Sequence, residues 1–333
     1  MRVSKKAATI YDIAQLAGVN PSTVSRALTT PGRINAKTEA KIRAAATELN
    51  YRVNPFARAL PTGRTKMLAV MVADITNPVF FDVVRGAESA AAEEGYTLVI
   101  AESQESSINE ADALERITPA VDGVILATTR LDDQTIQGLN RQKPVVLVNR
   151  EVENVSDVVP DNLPGIKEAV EHLAANGHKH LAFLSGPSAS WINIARWEAL
   201  LKFAVAYGMT IVEIGPNEPN LEAGSKAIER IQASGATAVF TYNDLMGIGL
   251  LRAAAERGIK VPKELSIIGF DNIFGSDFTT PPLSTIALPL VQVGRNAVEA
   301  VLRQLDSNED VVPHGSDLQT AFILRGSTGQ VKA

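Results

Sequence analysis

The chain has 333 residues, of which 45% are hydrophobic and 21% charged, a formal net charge of −5 and no cysteine. This length and apolar content suit two or three domains with sizeable cores, and the lack of cysteine excludes disulfides, thiolate metal sites and a cysteine nucleophile. The N-terminus lacks the apolar stretch of a signal peptide and no run of 18 apolar residues occurs, so we expect a soluble, cytoplasmic protein with no membrane partner.

A helix-turn-helix is predicted for residues 9–28. Ile10, Ile13 and Ala17 recur at helical spacing, and Gly18 then closes the first helix. Two short amphipathic helices joined by a glycine turn are typical of proteins that place one helix in a DNA groove.

The predicted second helix presents a surface that can read bases. Asn20 is a favourable N-cap, and Pro21 fits the first helical position. The outward face then carries short hydrogen-bonding groups beside one long cation, namely Ser22, Ser25 and Arg26. Such side chains suit contacts with base edges in the major groove of double-stranded DNA.

Basic residues are concentrated at the start of the chain. The first 66 residues hold 12 Lys or Arg and three acids, a net charge of +9, so the remainder holds 20 basic and 34 acidic residues, a net charge of −14. Because cations that neutralise phosphates release counterions, this basic head indicates salt-dependent binding to nucleic acid. With DNA as its partner, the protein is expected at the nucleoid.

Beyond the basic head, continuous apolar runs alternate with helical segments. The predicted strands are 67–73, 96–101, 121–127 and 145–148 in a first series, and 180–184, 210–214, 238–242 and 265–270 in a second. Such runs favour parallel sheets buried on both faces, and a polar stretch at 161–165 separates the series. The predicted fold class is therefore α/β, with an all-α headpiece followed by two doubly wound lobes. Ligands of such folds bind outside the carboxyl ends of the strands, which predicts a cleft between the lobes.

The sequence resembles the LacI/GalR family of transcription factors almost from end to end. Residues 9–28 match the family pattern T-x-x-D-x-A-x-x-A-G-V-x-x-x-T-V-S-R-x-L, and residues 49–60 resemble the family's hinge. Further matches lie at 77–81, 123–125, 177–178 and 269–271. The resemblance implies an effector-responsive transcriptional regulator, most simply a repressor.

The resemblance also implies a division into domains. It gives a helix-turn-helix headpiece over residues 7–53, a hinge helix and linker over 54–65, and an effector-binding and dimerisation domain over 66–333. The last of these should be like a periplasmic binding protein. Its N-terminal lobe is expected to comprise 66–160 with 289–318, and its C-terminal lobe 161–288 with 319–333.

DNA contacts are implied in both the headpiece and the hinge. Pro21, Ser22 and Arg26 would read the major groove, and Tyr11 would fix the DNA backbone. The hinge would fold on DNA and wedge Leu60 into a minor-groove step, which kinks the duplex. The expected DNA-binding residues are Tyr11, Asn20, Pro21, Ser22, Thr23, Ser25, Arg26, Arg33, Asn54, Ala57, Arg58 and Leu60.

Effector contacts are implied at strand ends and in the helices that follow them. The expected residues are Asp74, Phe80, Phe81, Asn149, Trp191, Arg196, Tyr242, Asp244 and Asp271. Arg196 offers a planar fork, and Asp271 can accept from two sugar hydroxyls. The acids Asp74, Asp244 and Asp271 set against Arg196 favour a small neutral sugar or polyol over a phosphorylated ligand. Each polar residue could instead be a loop charge or a helix cap, and the two phenylalanines could be simple packing.

Two alternative regulators remain open. One responds to a purine or nucleoside in the cleft, and the other is controlled mainly by a protein corepressor that docks on the N-terminal lobe. Release from the operator by one sugar would favour the sugar or polyol effector, and indifference to every sugar would favour the corepressor.

An enzyme is not expected. The four histidines include no pair at metal-ligand spacing, and no serine lies in a nucleophile elbow. We therefore expect no catalytic residue, metal or cofactor. A single helix-turn-helix reads too few bases to be selective, so the chain should act as a homodimer on a palindromic operator. The short polar tail after Arg325 favours that dimer over a tetramer.

Overall fold

A computed structural model describes residues 8–29, 32–51, 63–306 and 317–331 of the chain. Contacts divide the chain into a first unit, Met1–Lys66, and a second unit, Met67–Ala333. The hinge residues Asn54, Ala57, Arg58 and Leu60 lie outside the described residues. Within the described part of the chain, no helix has the length and hydropathy needed to cross a membrane.

The described residues of the first unit form three helices, α1 (Ile10–Ala17), α2 (Pro21–Thr29) and α3 (Ala36–Glu48). A capping box begins α1, since the Thr9 amide donates to Asp12 Oδ2 at 2.7 Å and the Asp12 amide to Thr9 Oγ1 at 3.4 Å. Gly18 ends α1 with φ +65°, a conformation that favours glycine. The predicted helix-turn-helix is confirmed, including its first helical residue Pro21.

A small apolar core holds these helices together. Ile13 from α1, Val24 from α2 and Ile42 from α3 are completely buried, with Ala14, Ala27 and Ala45 packed around them. The outward face of α2 is fixed in orientation because its inward face is anchored on both neighbouring helices.

The second unit begins with a five-stranded sheet. Its elements in chain order are β1 (Met67–Val72), α4 (Val79–Glu93), β2 (Thr97–Glu102), α5 (Ser107–Ile117), β3 (Gly123–Ala127), α6 (Asp133–Asn140), β4 (Val145–Val148) and β5 (Ser156–Val158). The strand order is β2-β1-β3-β4-β5, and all neighbours are parallel. We call this part the N-terminal lobe.

A second, six-stranded sheet forms the C-terminal lobe. The elements that follow in the chain are α7 (Leu163–Ala175), β6 (His180–Leu184), α8 (Trp191–Ala206), β7 (Thr210–Ile214), α9 (Leu221–Lys226), α10 (Ile228–Ser234), β8 (Ala238–Thr241), α11 (Asp244–Glu256), β9 (Ser266–Asp271), β10 (Ser284–Ala287), α12 (Leu290–Asp306) and β11 (Ala321–Ile323). The strand order is β11-β10-β9-β8-β6-β7, and only the β10–β11 pair is antiparallel.

Both faces of the first sheet are covered by helices, which explains its continuous apolar strands. Leu68 and Val70 of β1 pack into the cluster that includes α4 and α12, whereas Ala69 and Met71 pack on the opposite side with α5 and α6. Alternate residues of one strand thus serve two cores.

Helix α12 returns to the N-terminal lobe after the second sheet is nearly complete. It crosses α4 so closely that a Cβ on Gly86 would lie 1.9 Å from the Val291 carbonyl oxygen, and one on Gly294 would lie 1.9 Å from that of Val83. Because α12 joins one lobe and β11 the other, the chain passes between the lobes after β5, β10 and α12.

All eight predicted strands form, with bounds within two residues of those expected. The sequence did not indicate β5, β10 or β11, which have only three or four residues and include polar ones such as Ser156 and Ser284. Such short strands have too little alternation to be separated from loops.

Candidate functional site

The first candidate site is the exposed surface at the start of α2. Ser22 and Arg26 are exposed, as is Asn20 before them, and the Asn20 carbonyl accepts from the amides of Thr23 at 2.9 Å and Val24 at 3.2 Å. The start of α2 thus presents the Ser22 and Arg26 side chains to solvent, an arrangement that suits contacts with base edges.

The other predicted headpiece residues surround this turn. Tyr11 on α1 is 69% exposed, and Arg33 is exposed in the loop before α3. Pro21, Thr23 and Ser25 are half-buried at the base of α2. The described part of the predicted DNA surface is therefore accessible and lies on α1, α2 and the loop before α3.

The second candidate site is a cleft in the second unit. A cavity of about 890 Å³ lies where strands of both lobes end, as expected for doubly wound sheets. Its walls come from the segments that follow β1, β2, β3, β6 and β7, and the lining residues are Asp74, Ile75, Thr76, Glu102, Gln104, Glu105, Ser107, Arg130, Pro187, Ser188, Ala189, Pro216, Asn217, Glu218, Pro219 and Asn220.

Asp74 is the predicted effector residue that lines this cavity. Its Oδ1 accepts from the Thr76 amide at 2.8 Å and from the Thr76 hydroxyl at 2.6 Å. This bonding holds the loop after β1 in place and leaves Oδ2 without a partner among the described residues. Asp74 is thus both a local cap and a polar group at the cavity wall.

The aromatic residues and Asn149 lie elsewhere in the two lobes. Phe80 packs against the core of the N-terminal lobe and Phe81 is half exposed on the first turn of α4. Trp191 begins α8 and packs against the other core. Asn149 follows β4 with φ +56°, and its buried Oδ1 has no hydrogen-bond partner among the described residues. None of these residues lines the 890 Å³ cavity.

Arg196 and Asp271 form a buried ion pair rather than a pair of solvated loop charges. One Arg196 terminal nitrogen donates to Asp271 Oδ1 at 2.8 Å and the other to the Tyr242 carbonyl. The guanidinium also lies 4.3 Å from the centroid of the Phe270 ring. In this structure the planar fork of Arg196 is used within the C-terminal lobe and does not line the cavity.

Asp244 is also internal to the C-terminal lobe. Its Oδ1 accepts from the Thr285 hydroxyl at 2.6 Å and its Oδ2 from the Ile273 amide at 2.9 Å. Burial, with a further contribution from the nearby Asp271, raises the pKa of Asp244 to about 8. Asp244 is therefore predominantly neutral at pH 7 and adds little negative charge to the cleft.

The acids that line the cavity differ in part from those indicated by the sequence. Asp244 and Asp271 do not line it, whereas Glu102, Glu105 and Glu218 join Asp74 there. Glu102 accepts from the Ile75 amide at 2.8 Å. These three glutamates follow or end β2 and β7, so the rule that ligands bind at strand ends could have found them from the predicted strands.

One cation lines the described wall, and it is paired. Arg130 donates from Nε to Glu105 Oε2 at 2.9 Å, and its Nη2 lies 2.6 Å from the same oxygen. Four carboxylates and one guanidinium give the described wall a net negative charge. Such a potential disfavours phosphorylated ligands and suits neutral molecules that donate hydrogen bonds.

A helix-turn-helix unit followed by a two-lobed α/β unit with a polar cleft defines a DNA-binding regulator with a ligand-binding body. Comparison with known families agrees: residues 9–54 match bacterial regulatory proteins of the lacI family, and residues 170–328 match a periplasmic binding protein-like domain. The chain belongs to the LacI family of bacterial transcriptional regulators, and the resemblance seen in its sequence is confirmed.

Three relatives illustrate the similarity. The HTH-type transcriptional repressor CytR of Escherichia coli K12 is 35% identical over 332 residues, which cover 97% of this chain and 96% of CytR. A Lac repressor dimer bound to operator and the anti-inducer ONPF is 25% identical with a TM-score of 0.86, over 97% of this chain and all of that one. A LacI-family regulator of Enterococcus faecium with bound ribose is 27% identical with a TM-score of 0.70, over 80% of this chain and all of that one.

Proposed function

We propose that this protein is a repressor that binds a palindromic operator as a homodimer and is switched by a neutral sugar or polyol in the interlobe cleft. The observation that carries the ligand class is the acidic wall of the cavity, in which Asp74, Glu102, Glu105 and Glu218 face a single paired arginine. A ligand rich in hydroxyl groups satisfies these acceptors, whereas a phosphate would be repelled. The relative that holds ribose supports the same class.

The DNA side of the proposal is carried by the exposed first turn of α2. Ser22 and Arg26 would contact base edges, and Tyr11 and Arg33 would contact the DNA backbone. One such helix reads only a few bases, so two related by a dyad would be needed for selectivity. The Lac repressor relative, which is a dimer on its operator, supports this assembly. A repressor acting in this way works at the nucleoid in the cytoplasm.

Effector control would operate as a population shift. In this mechanism the two lobes adopt two arrangements that differ in operator affinity. A ligand that binds one arrangement more tightly raises the population of that arrangement and so changes the operator affinity of the dimer.

The experiment uses the purified full-length protein and an operator obtained by selection from random duplexes. Operator binding is measured while D-ribose, other neutral sugars and polyols, and their phosphorylated forms are added. The proposal requires at least one neutral compound to change operator affinity and its phosphorylated form to do so less effectively. A stronger effect of the phosphorylated form would contradict the proposed ligand class.

A second candidate effector is an uncharged nucleoside. The volume of about 890 Å³ exceeds the space that one sugar ring needs, and a nucleoside adds a base to the same set of ribose hydroxyls. Parallel titration with the four ribonucleosides separates this candidate from a free sugar. Indifference to every compound would favour a protein corepressor instead.

A further inference from the structure

The loop after β2 holds two cavity-lining residues in an unusual backbone conformation. Gln104 has φ +54° and Glu105 has φ +57°, in the left-handed region that non-glycine residues rarely adopt. The loop is fixed by backbone hydrogen bonds from Ser103 to the Val72 carbonyl at 2.9 Å and from Glu105 to the Ala73 carbonyl at 3.0 Å. Backbone strain of this kind collects where a side chain must be presented to a ligand.

The buried Arg130 side chain fixes the position of the Glu105 carboxylate. Only 5% of the Arg130 side chain is exposed, and both its Nε and Nη2 contact Glu105 Oε2. Arg130 is itself fixed, because its amide donates to Oε2 of the buried Glu110 at 2.8 Å and its Nη1 donates to the Thr128 hydroxyl and Thr129 carbonyl at 3.3 Å.

This clamp leaves one oxygen of Glu105 for the cavity. Arg130 uses Oε2, while Oε1 has no hydrogen-bond partner among the described residues, and the side chain is 28% exposed at the cavity wall. A carboxylate whose second oxygen is already anchored loses little rotamer freedom when it binds a ligand.

The C-terminal lobe contains a similar arginine-clamped carboxylate. Asp271 also has a positive φ, of +100°, and is paired with a buried arginine, Arg196. Asp271 is only 7% exposed, however, and does not line the cavity. Of these two clamped carboxylates, Glu105 is the one already in position to meet a ligand.

We infer that Glu105 is a specificity-determining residue that accepts hydrogen bonds from hydroxyl groups of the effector, and that Arg130 is its positioning residue. The inference rests on the proposed function of the cleft. In this inference, Glu105 on the N-terminal wall of the cavity contacts one or two neighbouring hydroxyls of a neutral ligand, because a fixed carboxylate oxygen offers two lone-pair directions. An anionic group at the same place would face Glu105 and its acidic neighbours.

The test pairs a protein change with a ligand change. D-Ribose, D-xylulose and the four ribonucleosides are titrated calorimetrically into the full-length wild-type protein, and the tightest binder is compared with its monodeoxy analogues. A hydrogen bond to a charged group is worth a factor of roughly 10 to 100 in affinity. We expect one monodeoxy analogue to bind the wild type more weakly than the parent ligand does, by that factor. The same analogue should bind Glu105→Gln less than about threefold more weakly than the parent ligand does.

The matched control and the positioning residue are tested in the same way. Glu93→Gln removes the carboxylate charge of another Glu–Arg pair in the same lobe, with Arg295 at 2.8 Å, away from the cavity, and should keep the wild-type discrimination. Arg130→Met should lose the preference for the parent ligand over its monodeoxy analogue as Glu105→Gln does. The double variant should lose no more of this preference than either single variant. Thermal unfolding of each ligand-free variant identifies any general loss of folding.

Two results would overturn the inference, and they are distinguishable. If every monodeoxy analogue loses the same factor with Glu105→Gln as with the wild type, Glu105 does not select hydroxyls, and the proposed function of the cleft still stands. If no sugar or nucleoside of the panel binds the wild type, the proposed ligand class fails and the role of Glu105 fails with it.

Discussion

Arg196 donates to Asp271 Oδ1 at 2.8 Å, and only 2% and 7% of the two side chains are exposed. The first residue belongs to α8 and the second ends β9, so the ion pair ties a helix to a central strand of the C-terminal lobe. Asp271 also has φ +100°. Removal of either partner would leave a buried charge without compensation, which gives the pair a structural role whatever it contributes to effector binding.

We therefore expect Arg196→Ala to destabilise the protein as well as to impair its effector response. Breaking a buried ion pair by removing one partner costs about 3–5 kcal/mol in the free energy of unfolding. Urea-induced unfolding measures this loss. The control is Arg295→Ala, which breaks the pair with Glu93 whose side chains are 28% and 57% exposed and should cost only about 0–1 kcal/mol. Equal small losses in both variants would show that the Arg196 pair is not important for stability.

The neutral carboxyl group of Asp244 predicts a pH dependence of stability. Its pKa is about 8 in the folded protein and about 3.9 in an unfolded chain. Between these values the folded state binds one more proton than the unfolded state, so stability falls as pH rises. The contribution is complete below about pH 4 and is lost by about pH 8, at no more than about 1.4 kcal/mol per pH unit.

The variant Asp244→Asn isolates this effect because it keeps the shape of the side chain and cannot ionise. Relative to the wild type, we expect the variant to gain stability steadily between pH 5 and pH 8. Urea unfolding at several pH values in that interval supplies the measurement. A constant difference between the two proteins over the interval would contradict the raised pKa.

Arg26 on the exposed face of α2 is expected to contribute to operator selection. Its replacement in Arg26→Ala should weaken operator binding by about 1–3 kcal/mol if the side chain contacts a base edge. Binding to unrelated duplex DNA should change much less. The ratio of the two affinities, measured by fluorescence anisotropy at fixed salt, tests this. Arg43→Ala is a suitable control, since Arg43 is an exposed residue of α3 that pairs with Glu39 at 2.7 Å. If Arg26→Ala lost the same affinity for the operator and for unrelated duplex DNA, Arg26 would contact a phosphate instead of a base.

Alanine substitutions at two helical glycines should have opposite effects on stability, because one glycine lies in the close crossing of α4 and α12 and the other lies outside it. A Cβ on Gly294 would lie 1.9 Å from the Val83 carbonyl oxygen, so Gly294→Ala should push the helices apart and cost about 1–3 kcal/mol or more. On α6, a Cβ on Gly138 would meet only the end of the Arg141 side chain at 3.7 Å. Gly138→Ala should therefore stabilise the protein by about 0.4–1 kcal/mol. Chemical denaturation distinguishes the signs, and a stabilising Gly294→Ala would contradict the tight crossing.

The sequence predicted correctly those helices and strands whose sequence signal is local. The helix-turn-helix follows from helical periodicity, the Gly18 stop and the Pro21 start, and all of these act within a few residues. The long strands follow from continuous apolar runs such as 67–72 and 123–127. The short strands β5, β10 and β11 carry too little pattern, because neighbours in the sheet, and not their own sequences, hold them extended.

The candidate site was predicted less completely, for a physical reason. The sequence indicated that ligand contacts lie at strand ends, and the cavity is formed there by residues that include Asp74 and Glu105. Which strand ends face the cavity depends on how the two sheets are ordered and twisted. A side chain such as Asp244 can follow a strand and still be turned inward by partners like Thr285, 41 residues away in the chain.

By itself, the sequence determined the headpiece, its basic charge, the two α/β lobes and the family, because periodicity, charge and motif spacing are properties of the chain alone. Only the tertiary structure decided how the charges are used. It buried Arg196 against Asp271, neutralised Asp244, and placed Glu105 on Arg130 at the cavity wall. Ionisation and hydrogen bonding depend on burial and on partners distant in sequence, and these exist only once the chain has folded.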